Sequence, residues 1–315
     1  DGDVFVTGIS TFSEGIADDI TINSVTVGKG ANSVDGNTAV GQNALDAATT
    51  GDINVAVGKN ALTDLTTGSN NVAVGKDAGA NITTGGSNTA IGQGALTTQT
   101  TASDNVAVGK GALTANTTGN QQVAVGSGAL QKNTTGTFNT AVGYEALDEN
   151  TTGLRNTAIG LVALRQNTTG AENTAVGNVA LDANTTGDYN VALGSEALGS
   201  NTTASSNTAV GYASLKVNTT GTINTAAGVN SMLTNTTGSR NSAFGGESLG
   251  LNTTGDYNCA FGKATLYSNT TGNNNTAYGT GALFANTTAS NNTAIGYEAL
   301  KLNTTGTQNT AVGYL

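Results

Sequence analysis

Hydrophobic and polar positions recur with a period of 17 residues along most of this chain. From Asn37 onward, sixteen complete units fill residues 37–308, and a partial unit, NTAVGYL, ends the sequence. We number the units as coils 1 to 17 and the positions within each unit as columns 1 to 17, column 1 being the opening Asn. A fixed short period indicates a solenoid, in which one coil cannot bury its apolar face alone.

Each unit opens with a short alternating segment of the type Asn-Thr-Ala-Val-Gly. Column 2 is mostly Thr or Val, column 3 is always Ala, column 4 is apolar and column 5 is always Gly. Alternation with β-branched residues that stops at Gly is typical of a strand ending in a turn, and two glycines per unit disfavour a helix. The pattern predicts an all-β fold, a parallel β-solenoid of 17-residue coils. The turn glycines include Gly41, Gly58, Gly109, Gly143 and Gly296.

The alternation leads us to expect columns 2 and 4 to face the interior and the Ala of column 3 to point outward. Leu in column 9 would supply the second wall of the core. The outward Ala either lets another chain approach closely or meets a second layer of the same coil, and both alternatives stay open. Representative predicted core residues are Val40, Leu45, Val57, Leu62, Val108, Leu113, Val142, Leu147, Ile159, Leu164, Phe244, Phe261, Tyr278, Ile295 and Leu300.

Columns 12–15 carry Asn-Thr-Thr-Gly in most units, which predicts the return turn. In stacked coils these residues would form Asn and Thr ladders at about 4.8 Å spacing, in a rod on the order of 75 Å long. Asn-Thr-Thr also matches the N-glycosylation sequon in twelve units. A turn ladder explains the same residues and is the preferred interpretation.

The sequence divides into three segments. Residues 1–22 form a strand-like segment that we interpret as a cap or docking strand, and residues 23–36 form a shorter transition coil. Residues 37–315 are the solenoid. The array stops in mid-coil at Tyr314–Leu315 without a polar cap, so we expect either a fragment of a longer protein or an open end that meets another subunit.

Composition argues against catalysis. The chain has no His and a single Cys259, which stands in column 2 and is expected to be a small buried residue. Carboxylates are scattered over variable columns, and no motif for phosphate, metal or cofactor recurs, so we predict no enzyme, no cofactor and no metal. The net charge of −10 disfavours nucleic acid as a partner. No apolar run approaches the roughly 20 residues of a membrane span.

Aromatic residues fall into two groups. Phe244, Phe261 and Tyr278 occupy column 4 of three consecutive coils and should stack, either as a locally wider core or as a carbohydrate-binding platform. The second group is expected to be exposed, in columns where tyrosine could recognise a partner. Its members are Tyr144, Tyr189, Tyr212, Tyr257, Tyr297 and Tyr314.

The motifs NTAVG, AL and NTTG, with NSVTVG at the entry, resemble two groups of repeat proteins over residues 23–315. One is the head region of trimeric autotransporter adhesins, and the other is the NTAVG-type array of phage tail fibres and bacterial surface proteins. The period of 17 departs from the adhesin heads, whose coils are shorter. The resemblance implies an elongated, trimeric, extracellular fibre.

We therefore expect a non-enzymatic structural fibre or filament subunit that associates with itself as a lateral trimer or head to tail and that could also serve adhesion. A glycan- or receptor-binding adhesin head is the second hypothesis. Ice binding is the third, because Thr ladders suit a flat solenoid face, although adjacent Thr residues of columns 13 and 14 should point to opposite sides. Location outside the cell, on a surface, filament or virion, follows from the resemblance.

Overall fold

The protein is a parallel β-solenoid of about sixteen turns, with 17 residues per coil, in a computed structural model that describes residues 20–22 and 24–315. Each coil contributes one short strand to a single sheet. Strands β3 to β19 are all parallel, and each pairs with the strand 17 residues away in register, as Thr157 does with Thr174. The strands are β1 Ile20–Ile22, β2 Val25–Gly28, β3 Thr38–Gly41, β4 Val55–Val57, β5 Val72–Val74, β6 Thr89–Ile91, β7 Val106–Val108, β8 Val123–Val125, β9 Thr140–Val142, β10 Thr157–Ile159, β11 Thr174–Val176, β12 Val191–Leu193, β13 Thr208–Val210, β14 Thr225–Ala227, β15 Ser242–Phe244, β16 Cys259–Phe261, β17 Thr276–Tyr278, β18 Thr293–Ile295 and β19 Thr310–Val312.

The two faces of the sheet are the reverse of the sequence-based expectation. The Ala of column 3 lies in the core with essentially no exposed surface in coils 1 to 16, and the side chains of columns 2 and 4 point outward. The alternative that placed Ala against a second layer of its own coil is therefore the correct one. Alternation puts columns 2 and 4 on one face of the strand but does not say which face is inner.

The size of the coil explains this choice. The interior is filled from the opposite wall by Ala in column 8 and Leu in column 9, both fully buried in most coils. Because these side chains occupy the interior, we attribute the inner position of the strand to its smallest residue, the Ala of column 3. The column 4 residues Val40, Val57, Val108, Val142, Ile159, Phe244, Phe261, Tyr278 and Ile295 were wrongly assigned to the core. The structure leaves each of them partly or largely exposed.

The Leu side chains of column 9 form the hydrophobic centre of the rod. Leu45, Leu62, Leu113, Leu147 and Leu164 have no exposed surface. The last predicted member of this column, Leu300, is only partly buried and packs against the core cluster. Most Leu residues of the column have a φ near +51°, in the left-handed region, which costs an L-residue roughly 1–2 kcal/mol. Burial of the side chain offsets this strain.

Two ladders of Asn side chains, mostly buried, run parallel to the rod: one in column 1 of every coil except coil 6, which has Gln122, and one in column 12 of coils 5 to 16. In coil 10, the Asn190 amide donates to Asn173 Oδ1 of the preceding coil at 3.1 Å and to the Ala204 carbonyl of its own coil at 2.9 Å. The column 12 Asn201 donates to Asn184 Oδ1 and to the same Ala204 carbonyl. Both ladders thus converge on the column 15 carbonyl, which fixes the return turn.

Column 5 requires glycine because neighbouring coils approach closely there. A Cβ on Gly143 would overlap the carbonyl oxygen of Gly160 in the next coil, and φ at Gly143 is +138°. The same overlap recurs along the column, including at Gly41, Gly58 and Gly109. At the turn that ends each strand, the main chains of adjacent coils are therefore in close contact.

The entry to the solenoid differs from the transition coil expected over residues 23–36. Strand β2 pairs antiparallel with both β1 and β3, and a short 3-10 turn, Ala31–Ser33, connects it to the first coil. Of the strand-like segment predicted over residues 1–22, only Ile20–Ile22 falls within the described residues.

Candidate interaction surface

The outward side of the sheet forms one continuous surface, which we call the outer sheet face and define as columns 2 and 4 of β3 to β19. Column 2 is Thr or Val except for Ser242 and Cys259, and column 4 is Val, Ile, Leu, Ala, Phe or Tyr. Neither column holds a charged residue in any coil. Several of its side chains are more than a third exposed, such as Val74 at 37% and Tyr278 at 60%. The face is thus uncharged and seventeen strands long, with an apolar or aromatic residue in column 4 and mostly Thr in column 2.

A run of aromatic residues interrupts the regular Val and Ile pattern of this face. The rings of Phe244 and Phe261 stack with centroids 4.7 Å apart and planes at 7°, and Tyr278 continues the stack at 5.7 Å. The expected stacking is confirmed, but it lies outside the core rather than within it. Because the rings cover one another's faces, the run offers mainly ring edges to solvent, which does not suit stacking of a sugar on Phe261.

The tyrosines singled out for recognition are all exposed but do not form one patch. Tyr144, Tyr189, Tyr212 and Tyr257 are each more than half exposed, and each lies two coils from the next, in either column 6 or column 17. Only the final pair, Tyr297 and Tyr314, stacks, with centroids 5.2 Å apart.

Threonine in column 14 is a feature that sequence reasoning underrated. It is Thr in all sixteen complete coils and exposed in every one. Across the described coils, no hydrogen bond joins these hydroxyls to another protein group. The neighbouring Thr of column 13 differs, because its hydroxyl typically donates to the carbonyl of the equivalent Thr one coil on, as Thr168 does to Thr185 at 3.0 Å. Sixteen free hydroxyl groups therefore form one rank along the rod.

The Asn side chains of the column 12 sequons form hydrogen bonds within the fold. Asn150 is fully buried, and its amide donates to Asn133 Oδ1 at 2.7 Å and to the Gly153 carbonyl at 3.0 Å. Both amide hydrogens are in use, so glycosylation of this nitrogen is incompatible with the folded coil. The preferred interpretation as a turn ladder agrees with this geometry.

Charged residues pair between coils rather than gather into a site. Arg165 lies 3.2 Å from Asp182 and 3.9 Å from Glu145. Burial raises the pKa of the Asp182 carboxyl, although the Arg165 charge acts in the opposite direction. Asp148 is 9% exposed, and its Oδ1 has no hydrogen-bond partner. Burial and the neighbouring Glu149 raise the pKa of Asp148.

Cys259 is a free thiol on the outer sheet face and is partly exposed, which corrects the expectation that it is buried. Partial burial of the Cys259 thiol raises its pKa. In the described part of the chain, no group of three His, Cys, Asp or Glu residues is placed to hold a metal ion. Nor does any helix among the described residues have the length and hydrophobicity to cross a membrane.

No protein-family model matches this sequence, and no curated protein matches it.

Proposed function

We propose that this protein is a non-enzymatic structural fibre that associates with further copies of itself through the outer sheet face. The observation that carries the proposal is the outer sheet face of seventeen strands, which has no charged residue and keeps an unbroken row of apolar or aromatic side chains in column 4. Soluble monomers rarely expose a contiguous apolar patch of more than a few hundred Å². The Ala stripe of column 3 is buried and has no part in this contact.

The size of the face suits a second copy of the chain. Seventeen strands at about 4.8 Å spacing give a length of about 80 Å, and two outward residues per strand give a width of about 10 Å. The product, on the order of 800 Å² per chain, is what one partner buries in a stable protein interface. A flat rod face of this length calls for an equally long and flat partner, and another copy of the rod meets that requirement.

The extracellular location and an adhesive role belong to the same proposal. Both follow from the resemblance of the repeats to fibre and adhesin-head proteins. The exposed tyrosines and the variable columns would be the surface for a glycan or receptor. A glycan array that shows no binding at high protein concentration would remove the adhesive part while leaving the structural part intact.

The test is self-association measured by sedimentation velocity over a concentration series. We expect the wild-type chain to form oligomers and the variant Val176→Lys, which places a charge at the centre of the outer sheet face, to shift toward monomer. Gln166→Lys is the matched control, because Gln166 is an exposed residue of column 11 away from the face. A wild-type monomer at all concentrations, or equal behaviour of the two variants, would refute the proposal.

Ice binding is a second candidate function, favoured by the column 14 rank. Its exposed hydroxyl and methyl groups repeat at about 4.8 Å, and no protein group uses the hydroxyls in the described coils. The array is a single rank, because the hydroxyls of column 13 are mostly bonded to the backbone. We would measure thermal hysteresis for the wild type and for Thr169→Lys/Thr186→Lys. Hysteresis that the double variant loses would support ice binding, and its absence in the wild type would exclude it.

A further inference from the structure

We infer that two copies pair through their outer sheet faces in parallel and in register, with the aromatic run of coils 13 to 15 as the element that aligns them. The inference rests on the proposed self-association. The aligned residues are Phe244, Phe261 and Tyr278 of column 4 and their neighbours in column 2, Ser242, Cys259 and Thr276. The partner is a second copy of this chain, related by a two-fold axis that runs along the rod.

A uniform face of Val, Ile and Thr cannot fix its own alignment. A slip by one coil replaces each contact with an equivalent one, so registers that differ by a single coil have nearly the same packing. The aromatic run breaks this equivalence. The two-fold axis opposes column 4 of one copy to column 2 of the other. If the copies slip, at least one Phe of each copy opposes a larger Thr or Val of column 2 and wedges the faces apart. In register, both Phe side chains oppose the smaller Ser242 and Cys259.

The residues of column 2 fit this arrangement. A two-fold axis along the rod brings column 2 of one copy opposite column 4 of the other, in the same coil. Column 2 is Thr or Val in every coil except coils 13 and 14, where it is Ser242 and Cys259. These are the coils that carry Phe244 and Phe261. The large side chain of one copy would therefore pack over the small side chain of its partner, as complementary interfaces require.

The position of the run selects the parallel orientation. Coils 13 to 15 lie far from the middle of a seventeen-coil face. An antiparallel pair with full overlap would bring coil 14 opposite coil 4, where the face carries Thr89 and Ile91. An antiparallel pair centred on coil 14 would align the aromatic runs but would leave coils 1 to 10 uncovered. Only the parallel pair covers the whole face and brings the two runs together.

The first test measures distances between spin labels in the full chain, with Cys259→Ser as background. Single cysteines are placed on the exposed column 14 at Thr67→Cys, Thr186→Cys and Thr288→Cys, in coils 2, 9 and 15. We expect the distance between copies to be the same at all three positions. In the antiparallel pair it would be short at coil 9 and exceed about 55 Å at coil 15, because twelve coils at about 4.8 Å separate the labels.

The second test alters the fit between the two columns. The double variant Ser242→Val/Cys259→Val enlarges column 2 and keeps both Phe residues. We expect it to raise the dissociation constant of the dimer at least tenfold. Adding Phe244→Val and Phe261→Val should restore the affinity but broaden the label distances, because the alignment element is lost. If the small residues serve only packing within one chain, the first variant would lower the thermal stability of the monomer and leave the dissociation constant unchanged, which would overturn the inference.

Sedimentation equilibrium separates this inference from the proposed function. Wild-type protein that remains monomeric would refute self-association itself. A trimer, or a dimer whose label distances grow away from coil 9, would leave self-association standing and refute the parallel two-fold pair.

Discussion

Replacing Asn190 with aspartate tests whether the buried column 1 ladder holds adjacent coils together. The Asn190 side chain makes four hydrogen bonds: it donates to Asn173 Oδ1 at 3.1 Å and to the Ala204 carbonyl at 2.9 Å, and it accepts from the Asn207 backbone N–H at 3.0 Å and side-chain amide at 3.4 Å. The side chain has no exposed surface. Aspartate has nearly the same shape, so no cavity is created.

The ionised carboxylate would lose both donated bonds and face two acceptor oxygens. Each lost bond costs about 1 kcal/mol, and the unpaired buried acceptors add about as much again, so the expected loss at pH 7 is about 3–4 kcal/mol. A protonated acid can donate one of the two bonds, so about 1–2 kcal/mol should remain at low pH.

The pH dependence of Asn190→Asp has a definite sign. Burial without a positive partner raises the pKa of the introduced carboxyl above its unfolded value of about 3.9. The native state then binds more protons than the unfolded state, so the variant loses stability as pH rises above about 4. Below that pH the deficit is smallest.

Hydrogen exchange measured by mass spectrometry is the appropriate assay, because a repeat protein can open locally. We expect the amides around Asn190 and Asn207 to exchange roughly a hundredfold faster at pH 7 after correction for the intrinsic rate, since every 1.4 kcal/mol corresponds to a factor of ten. Asn178→Asp is the control, because Asn178 is an exposed Asn in column 6 of the preceding coil, outside the ladder. Equal effects of both substitutions, or a deficit at Asn190 that does not change with pH, would contradict the role of the ladder.

Three further predictions concern single coils. Gly143→Ala should lower the free energy of unfolding by more than about 3 kcal/mol or block folding, because its Cβ would overlap the Gly160 carbonyl. Gly94→Ala should cost only about 1 kcal/mol from its left-handed φ, since the nearest atom to the added Cβ would be 3.5 Å away. Comparable denaturation midpoints for the two variants would contradict this. Val162→Gly should stabilise by about 1 kcal/mol, because φ is +48° at this β-branched residue; a lower midpoint would refute it. Asp148→Asn should stabilise by about 1 kcal/mol at pH 7 but not at pH 4, because the raised pKa of Asp148 makes the wild type lose stability as pH rises; a gain that is independent of pH would refute that cause.

The repeat period and the backbone preferences in the sequence predict the fold. The 17-residue register, the strand in columns 2–4 and the glycine of column 5 follow from alternation and turn chemistry. The stacking of Phe244 on Phe261 follows from their shared column. None of these predictions depends on which side chains fill the interior of the coil.

The side of the sheet that faces inward could not be predicted from alternation alone. Hydrophobicity favoured the Val residues of column 4 for the core over Ala39 and its equivalents. Leu45 and its equivalents fill the interior opposite Ala39, and how much room they leave for the strand depends on the distance between the two walls, which no local pattern specifies. A buried column 1 ladder could have been suspected, since Asn recurs there in all coils but the one that has Gln122.

Variation among the repeats adds an argument about where function resides. Exposed columns such as 6, 11 and 17 change freely and carry charges of both signs. Column 14 is as exposed as these columns, yet it is always Thr. Columns 2 and 4 vary in size, from Ala227 to Tyr278, yet never become charged. Solubility alone would favour charges on an exposed strand face, because uncharged flat sheets associate. A face that stays uncharged through seventeen coils is what the proposed contact with a second copy along its whole length would require.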